Sequence, residues 1–160
     1  MRMIRLTEPV SGLAARCTLL DDAAPRSADF LWTLAGAGAR FEAIHAMWTG
    51  PEISVPMPAS TLPPGTAPGA IPEENATAYP EAGDIVLAYL AAGSTKGLPP
   101  GDFYDLGLFY GSGGRLLMPF GWLRANIAAR IVAEDMADAV AACRAIRRNG
   151  ACTLGIERAG

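Results

Sequence analysis

Residues 41–58, FEAIHAMWTGPEISVPMP, read as two β-strands joined by a tight turn, and the rest of the chain can be placed around them. Ala43, Ile44, Ala46, Met47 and Trp48 form an apolar run broken only by His45. Ile53, Val55 and Met57 alternate with Ser54 and Pro56, the period-2 signature of a half-buried strand. Thr49-Gly50-Pro51-Glu52 supplies the turn, because glycine tolerates positive φ and proline presets φ near the value a turn needs. Pro56 and Pro58 cannot donate to a ladder, which predicts a second strand lying at or ending on a sheet edge.

Working outward on the N-terminal side, Met3–Leu6 and Leu13–Leu20 read as strands. A helix should follow, with Asp22 as N-cap, Pro25 in the first turn, apolar residues at Ala24, Ala28, Leu31 and Ala35, and a stop at Gly36-Ala37-Gly38. Beyond the hairpin, residues 59–70 are rich in Pro, Gly and small side chains, as in either a lid or a plain surface loop. Ile85–Leu90, Leu106–Tyr110 and Ile127–Val132 read as strands, Gly111–Gly114 as a turn, and Phe120–Asn126 as either a short helix or a loop. Asp135 or Asp138 can cap a last helix, whose stripe is Ala139, Val140, Cys143 and Ile146. Arg144, Arg147 and Arg148 suit the negative end of its dipole, Asn149-Gly150 stops it, and Cys152–Ile156 adds a last edge strand. Many short strands with two helices predict a mainly β protein, an antiparallel sheet closed into a barrel capped by helices.

A chain of 160 residues, 51% hydrophobic and 18% charged, suits a single domain spanning 1–160 with a substantial core. The net charge of -3 and dispersed basic residues lack the concentrated positive footprint that phosphate binding requires, so nucleic acid is not an expected partner. MRMIRLTEPV has no apolar core or cleavage site of a signal peptide, and no window approaches a membrane span, so a cytoplasmic protein without a membrane partner is expected. Cys17, Cys143 and Cys152 are odd in number and share no CxxC spacing, which suits buried thiols better than disulfides or zinc. With one histidine and scattered carboxylates, no metal site is expected, and no cofactor motif is present.

Three segments, WTGPEISVPMP, ENATAYPEAGDIVLAYL and LGLFYGSGGRLLMPFGWLRANIAARI, occur in the order seen in small bacterial and archaeal cyclophilin-like proteins. The chain resembles that superfamily and, more narrowly, its DUF3830 branch, in the turn at Trp48–Ile53, the step at Glu81–Ile85, the strand end at Phe109–Gly111 and the strand Asn126–Ile131. The resemblance covers about half the chain and implies a closed eight-stranded cyclophilin-like β-barrel with helices at its ends. In cyclophilins, prolyl isomerisation depends on an arginine in a Phe-x-Arg segment beside an aromatic pocket. The matched strands contain no Phe-x-Arg, and Arg40 precedes Phe41 in the wrong order, so isomerase activity is not expected.

His45 is the candidate acid-base group, since imidazole alone has an unperturbed pKa near neutrality. Alternation puts it on one face with Ala43 and Met47, and a pairing with Glu52 across the turn is a candidate catalytic arrangement. Trp48, Tyr110, Phe120 and Trp122 can line an apolar pocket or belong to the core. Arg115 and Arg124 each offer a fork of donors to a planar carboxylate or imide or are merely solvated surface charges, the latter favoured for Arg124, and Asn126 can read an amide edge. Gly111–Gly114 lacks the lysine of a phosphate loop, and no GxSxG elbow is present. The expectation is a protein that binds a small, polar, planar ligand between the hairpin and residues 111–126. Two alternatives stay open: an enzyme acting on a cyclic amide with His45 as acid-base and Arg115 as anchor, and a non-catalytic oligomerisation or partner-binding module. A homo-oligomer is expected.

Overall fold

In the computed structural model, which describes residues 1–160, alternation does most of the building. Strand β1 (Met3–Glu8) buries every second residue, Ile4, Leu6 and Glu8, and β2 (Leu13–Leu19) does the same with Leu13, Ala15, Cys17 and Leu19. Helix α1 (Pro25–Gly36) leads to β3 (Arg40–His45) and β4 (Glu52–Pro58). A short β5 (Ala76–Thr77) precedes β6 (Asp84–Leu90) and β7 (Phe103–Phe109). Then come the ribbon β8 (Leu117–Met118) and β9 (Gly121–Trp122), strand β10 (Ala125–Ile131), helix α2 (Met136–Asn149) and β11 (Cys152–Arg158).

The strands run in the order β2-β1-β11-β3-β4-β7-β6-β10, all antiparallel, and pairing of β10 with β2 closes them into an eight-stranded barrel. Closure leaves no free edge around the ring, which disposes of the pairing hazard that open sheets carry. Ile53, Val55, Met57, Tyr104, Leu106, Leu108, Leu154 and Ile156 fill the interior with β1 and β2 residues. Helix α1 buries Phe30, Leu31 and Leu34, and Phe30 meets the Tyr104 ring at 4.9 Å. Helix α2 buries Ala139, Ala142, Cys143 and Ile146 and packs on β2 and β3.

Strand β6 is apolar on both faces because it has two cores to serve. Its outward Val86, Ala88 and Leu90 join Phe103, Phe109, Leu116 and Ala125 in a second cluster outside the barrel, roofed by Leu98 and Leu123.

Several sequence expectations need correction. Strand β4 is interior, paired with β7 along its length but with β3 only at Ser54 and Ile53. Its even-numbered backbone groups face β3, as the Ala46 N–H to Glu52 carbonyl bond (2.9 Å) shows, so Pro56 and Pro58 direct their missing donors to where that ladder has already ended. Strand β11 is likewise interior, between β1 and β3. Helix α1 begins at Pro25 without help from Asp22: Glu74, 48 residues further on, accepts the Arg26 N–H (2.9 Å) and the Ser27 N–H (3.1 Å). A carboxylate there satisfies orphan amides and the positive end of the dipole together. Asp135 stands at the start of α2, but its side chain binds Arg16 instead of capping. Residues 120–126 form neither helix nor loop but a strand turn and the start of β10.

Candidate functional site

The hairpin tip is longer than its composition suggests. β3 stops at His45, opposite Ile53, and residues 46–51 form the loop. Gly50 adopts φ +94°, and a Cβ on it would come 3.1 Å from the Gly113 carbonyl, so glycine lets this tip lie against the 110–115 segment. The Tyr110 N–H donates to the Pro51 carbonyl and the Arg115 N–H to the Thr49 carbonyl, both at 3.0 Å. These bonds join two segments 60 residues apart in sequence.

Their junction encloses a cleft of about 670 Å³ lined by His45, Met47, Pro51, Tyr110, Ser112, Arg115 and Arg147, with Ala46 and Gly50. At its floor the Tyr110 hydroxyl and His45 Nε2 lie 2.6 Å apart, while His45 Nδ1 lies 2.8 Å from the Ala46 carbonyl. A carbonyl only accepts, so Nδ1 carries a proton, and in the neutral ring Nε2 accepts from the phenol. Both ring nitrogens are thereby assigned. Burial raises the Tyr110 pKa, with Cys143 adding to it and Arg147 and Arg144 opposing, so the phenol remains a donor at neutral pH. Arg115 and Arg147 are exposed and neither has a carboxylate partner. A net-acidic protein thus presents two free guanidinium groups at one opening, beside a phenol-imidazole pair.

The other predicted site residues lie elsewhere. Glu52 is buried beyond reach of the imidazole, because neighbours on a strand point to opposite faces: His45 faces Ile53 across the ladder, and Glu52 turns outward. Its Oε1 accepts the Thr49 hydroxyl at 2.7 Å. Burial, then the charge of Asp105, pushes Glu52 up to about 8 against the Thr49 hydrogen bond. The expected His45–Glu52 pair is therefore not formed. Trp48 is 52% exposed on the loop and does not line the cleft, whereas its exposed neighbour Met47 does. Phe120 lines a small outer cavity, whereas Trp122 packs against Tyr79 with ring centroids 5.5 Å apart. Asn126 is spent on structure: its Oδ1 accepts the Glu74 N–H (2.9 Å), and its Nδ2 donates to Ser27 Oγ (3.0 Å) and the Pro72 carbonyl (2.8 Å). Arg124 reaches Glu73 and the Ala76 carbonyl. Of the eight candidates, the cleft unites His45, Tyr110 and Arg115.

Sequence reasoning missed Arg147, Ser112 and Asp105. Arg147 reads as a dipole-compensating residue at a helix end, and the pairing of β11 with β3, Cys152 opposite Ala43, brings that end to the hairpin. Asp105 sits in a strand whose alternation should have flagged a charged residue between apolar neighbours. No three His, Cys, Asp or Glu side chains converge as a metal would require. Burial pushes the Cys17 and Cys143 thiols up to about 12, which keeps them protonated and unreactive.

Comparison with known proteins supplies a family. The model of the family described as "Protein of unknown function (DUF3830)" matches residues 6–157. No curated protein matches the chain. Among solved structures, the fold is similar to McbB in complex with tryptophan, with TM-score 0.66 and 16% identity over 98% of this chain and 45% of that one, so the chain spans less than half of McbB's length. It is also similar to a cyclophilin-type peptidyl-prolyl cis-trans isomerase of Cryptosporidium parvum, solved in the presence of the dipeptide Ala-Pro, with TM-score 0.52 and 12% identity over 99% of both chains. At these identities the likeness establishes the cyclophilin-like fold. No helix is long and apolar enough to cross a membrane.

Proposed function

The chain belongs to the DUF3830 family, and from the cleft beneath the hairpin we propose that it binds a small, planar organic acid there. The observation that carries this reading is the pairing of two uncompensated guanidinium groups, Arg115 and Arg147, with the Tyr110–His45 hydrogen bond around one opening. Guanidinium forks match carboxylate geometry, and charge-assisted hydrogen bonds are about twice as strong as neutral ones. Met47 and Pro51 give the flat part of the ligand apolar walls, and Ser112 adds a hydroxyl at the rim. Volume agrees with this class, since small-molecule clefts commonly span roughly 300–1,000 Å³.

The test is calorimetric titration of the purified protein with carboxylates that vary the body: benzoate, pyroglutamate, tryptophan and Ala-Pro. The last two are chosen because they accompany the similar structures. At least one should bind saturably, and Arg115→Ala or Arg147→Ala should weaken it about tenfold or more, as loss of a charge-assisted hydrogen bond costs about 1.5–3 kcal/mol. Absence of binding across the panel, or affinity unchanged from wild type in both variants, contradicts the proposal.

A second reading is supported by the locked imidazole. A histidine whose Nδ1–H is committed to a backbone carbonyl offers Nε2 for proton transfer once a ligand displaces the phenol, so the cleft suits acid-base chemistry on a cyclic amide with Arg115 as anchor. Turnover of a cyclic-amide panel that His45→Ala abolishes supports it; no turnover, with ligand affinity unchanged in His45→Ala, removes it.

A further inference from the structure

A second site lies on the outer wall of the barrel, away from the cleft. Glu52, Ser54 and Pro56 on β4 stand on the same face as Phe109, Gly107 and Asp105 on β7, because the register pairs 52 with 109, 54 with 107 and 56 with 105. That face turns away from the packed interior and is roofed by residues of the 91–102 loop and the β8–β9 ribbon. Between wall and roof is a cavity of about 190 Å³, lined mainly by apolar side chains including Leu98, Phe103, Phe120 and Leu123, with Ser54 and Asp105 as its polar members.

Asp105 is the anomaly. Its Oδ1 is wholly buried and has no hydrogen-bond partner in the protein. No arginine or lysine pairs with it, and Glu52, on the same sheet face, is also an acid. Gly107 keeps these two acids together: a Cβ there would fall 2.0 Å from Glu52 Oε2, so only glycine leaves room for that carboxyl on the sheet. The residue as a whole is half-buried and only Oδ1 is shut off from solvent, and a buried carboxylate oxygen ordinarily has a hydrogen-bond partner. The missing complement is a cation small enough to enter, with an apolar remainder for the walls.

We propose that this outer cavity binds a small primary amine with a branched apolar body, its ammonium donating to Asp105 and Ser54 and its hydrocarbon packed between Leu98, Phe103, Phe120 and Leu123. The volume admits roughly six water-sized groups, which sets the size of the body. Burial alone holds Asp105 at about 7, and an arriving ammonium stabilises the ionised form it otherwise avoids. Glu52, behind Gly107, does not line the cavity, and with its carboxyl pushed up to about 8 it is largely uncharged at neutral pH, which leaves Asp105 as the anionic member of the site.

The test uses the full chain with isoamylamine and its neutral counterpart isoamyl alcohol, followed by amide NMR shifts and calorimetry. The amine should bind saturably at least tenfold more tightly than the alcohol, and shift changes should centre on Leu98, Asp105 and Leu123. Asp105→Asn keeps the shape and removes the charge; it should weaken the amine at least tenfold and leave the alcohol within about threefold. As a second variant, Leu123→Trp should fill the cavity and weaken both probes. Equal binding of amine and alcohol, an Asp105→Asn variant with unchanged amine affinity, or shift changes confined to the His45 cleft would each overturn the proposal. Arg115→Ala, which tests the cleft, should leave amine binding unaltered, so the two sites can fail separately.

Discussion

Replacing Asp105 by asparagine should stabilise the protein, and by an amount that grows with pH. Burial holds the Asp105 carboxyl at about 7, against 3.8 for the ordinary group. Between those values the native protein keeps a proton that the unfolded chain has released. The unfolding free energy therefore falls as pH rises, by about 1.4 kcal/mol per unit, and levels off once the native carboxyl also ionises near pH 7. The full loss in wild type is about 4 kcal/mol, a large part of the 5–15 kcal/mol typical of a domain. Glu52 works in the same direction between 4.5 and about 8, and since Asp105 is one cause of its shift, the substitution relieves part of that cost too. Asp135, lowered to about 2 chiefly by its Arg16 hydrogen bond, loses stabilising power only at more acid pH and does not enter this window. Urea denaturation of both proteins from pH 5 to pH 8 is the assay. The advantage of Asp105→Asn should widen by about 2–3 kcal/mol across that range. A pH-independent difference, or a variant less stable than wild type at pH 8, would show that ionisation of Asp105 does not burden the fold.

Other consequences follow from the same structure. Asn126→Ala leaves the Glu74 N–H, the Pro72 carbonyl and the Ser27 hydroxyl without their shared partner, and should cost about 2–4 kcal/mol in chemical denaturation. Glu74→Ala removes the cap borrowed by α1 and should cost about 1–2 kcal/mol, with amide exchange rising first at Arg26 and Ser27. Gly107→Ala places a methyl on the Glu52 carboxyl and should lower the melting temperature by more than Gly111→Ala, whose Cβ meets the Pro51 ring at 3.2 Å. Tyr110→Phe removes the phenolic donor from His45 and should weaken any ligand of the cleft with little loss of fold, read by calorimetry beside a thermal melt.

What the sequence makes legible is local. Ile53, Val55 and Met57 announce their strand because alternation is imposed by the pleat, and Gly50-Pro51 announces a turn because each residue has a conformational bias of its own. Pro56 and Pro58 mislead for an instructive reason: the rule that proline marks an edge assumes both neighbouring ladders run the full strand, and here one stops at Ser54. Cys152–Arg158 is placed in mid-sheet by partners at the far N-terminus and at Arg40–Ala43, contacts with no local signature. The site divides likewise. His45, Tyr110 and Arg115 are recoverable because histidine is unique in the chain and the Gly-rich turn delivers 110–115 to the hairpin. Glu52 is misplaced by one residue's alternation, and Asn126 by assuming that a versatile amide is free when three backbone and side-chain groups already occupy it. Arg147 joins the cleft through the long-range pairing of β11 with β3, which has no local signature.

With one histidine in the chain, imidazole nitrogen NMR reports the state of the His45–Tyr110 pair in the cleft without any need for assignment among rings. The neutral ring should carry its proton on Nδ1, and saturation with the tightest carboxylate of the panel should move the Nε2 resonance as the Tyr110 contact is remade. A neutral ring protonated at Nε2, with both nitrogen resonances unmoved at saturating ligand, would contradict both expectations.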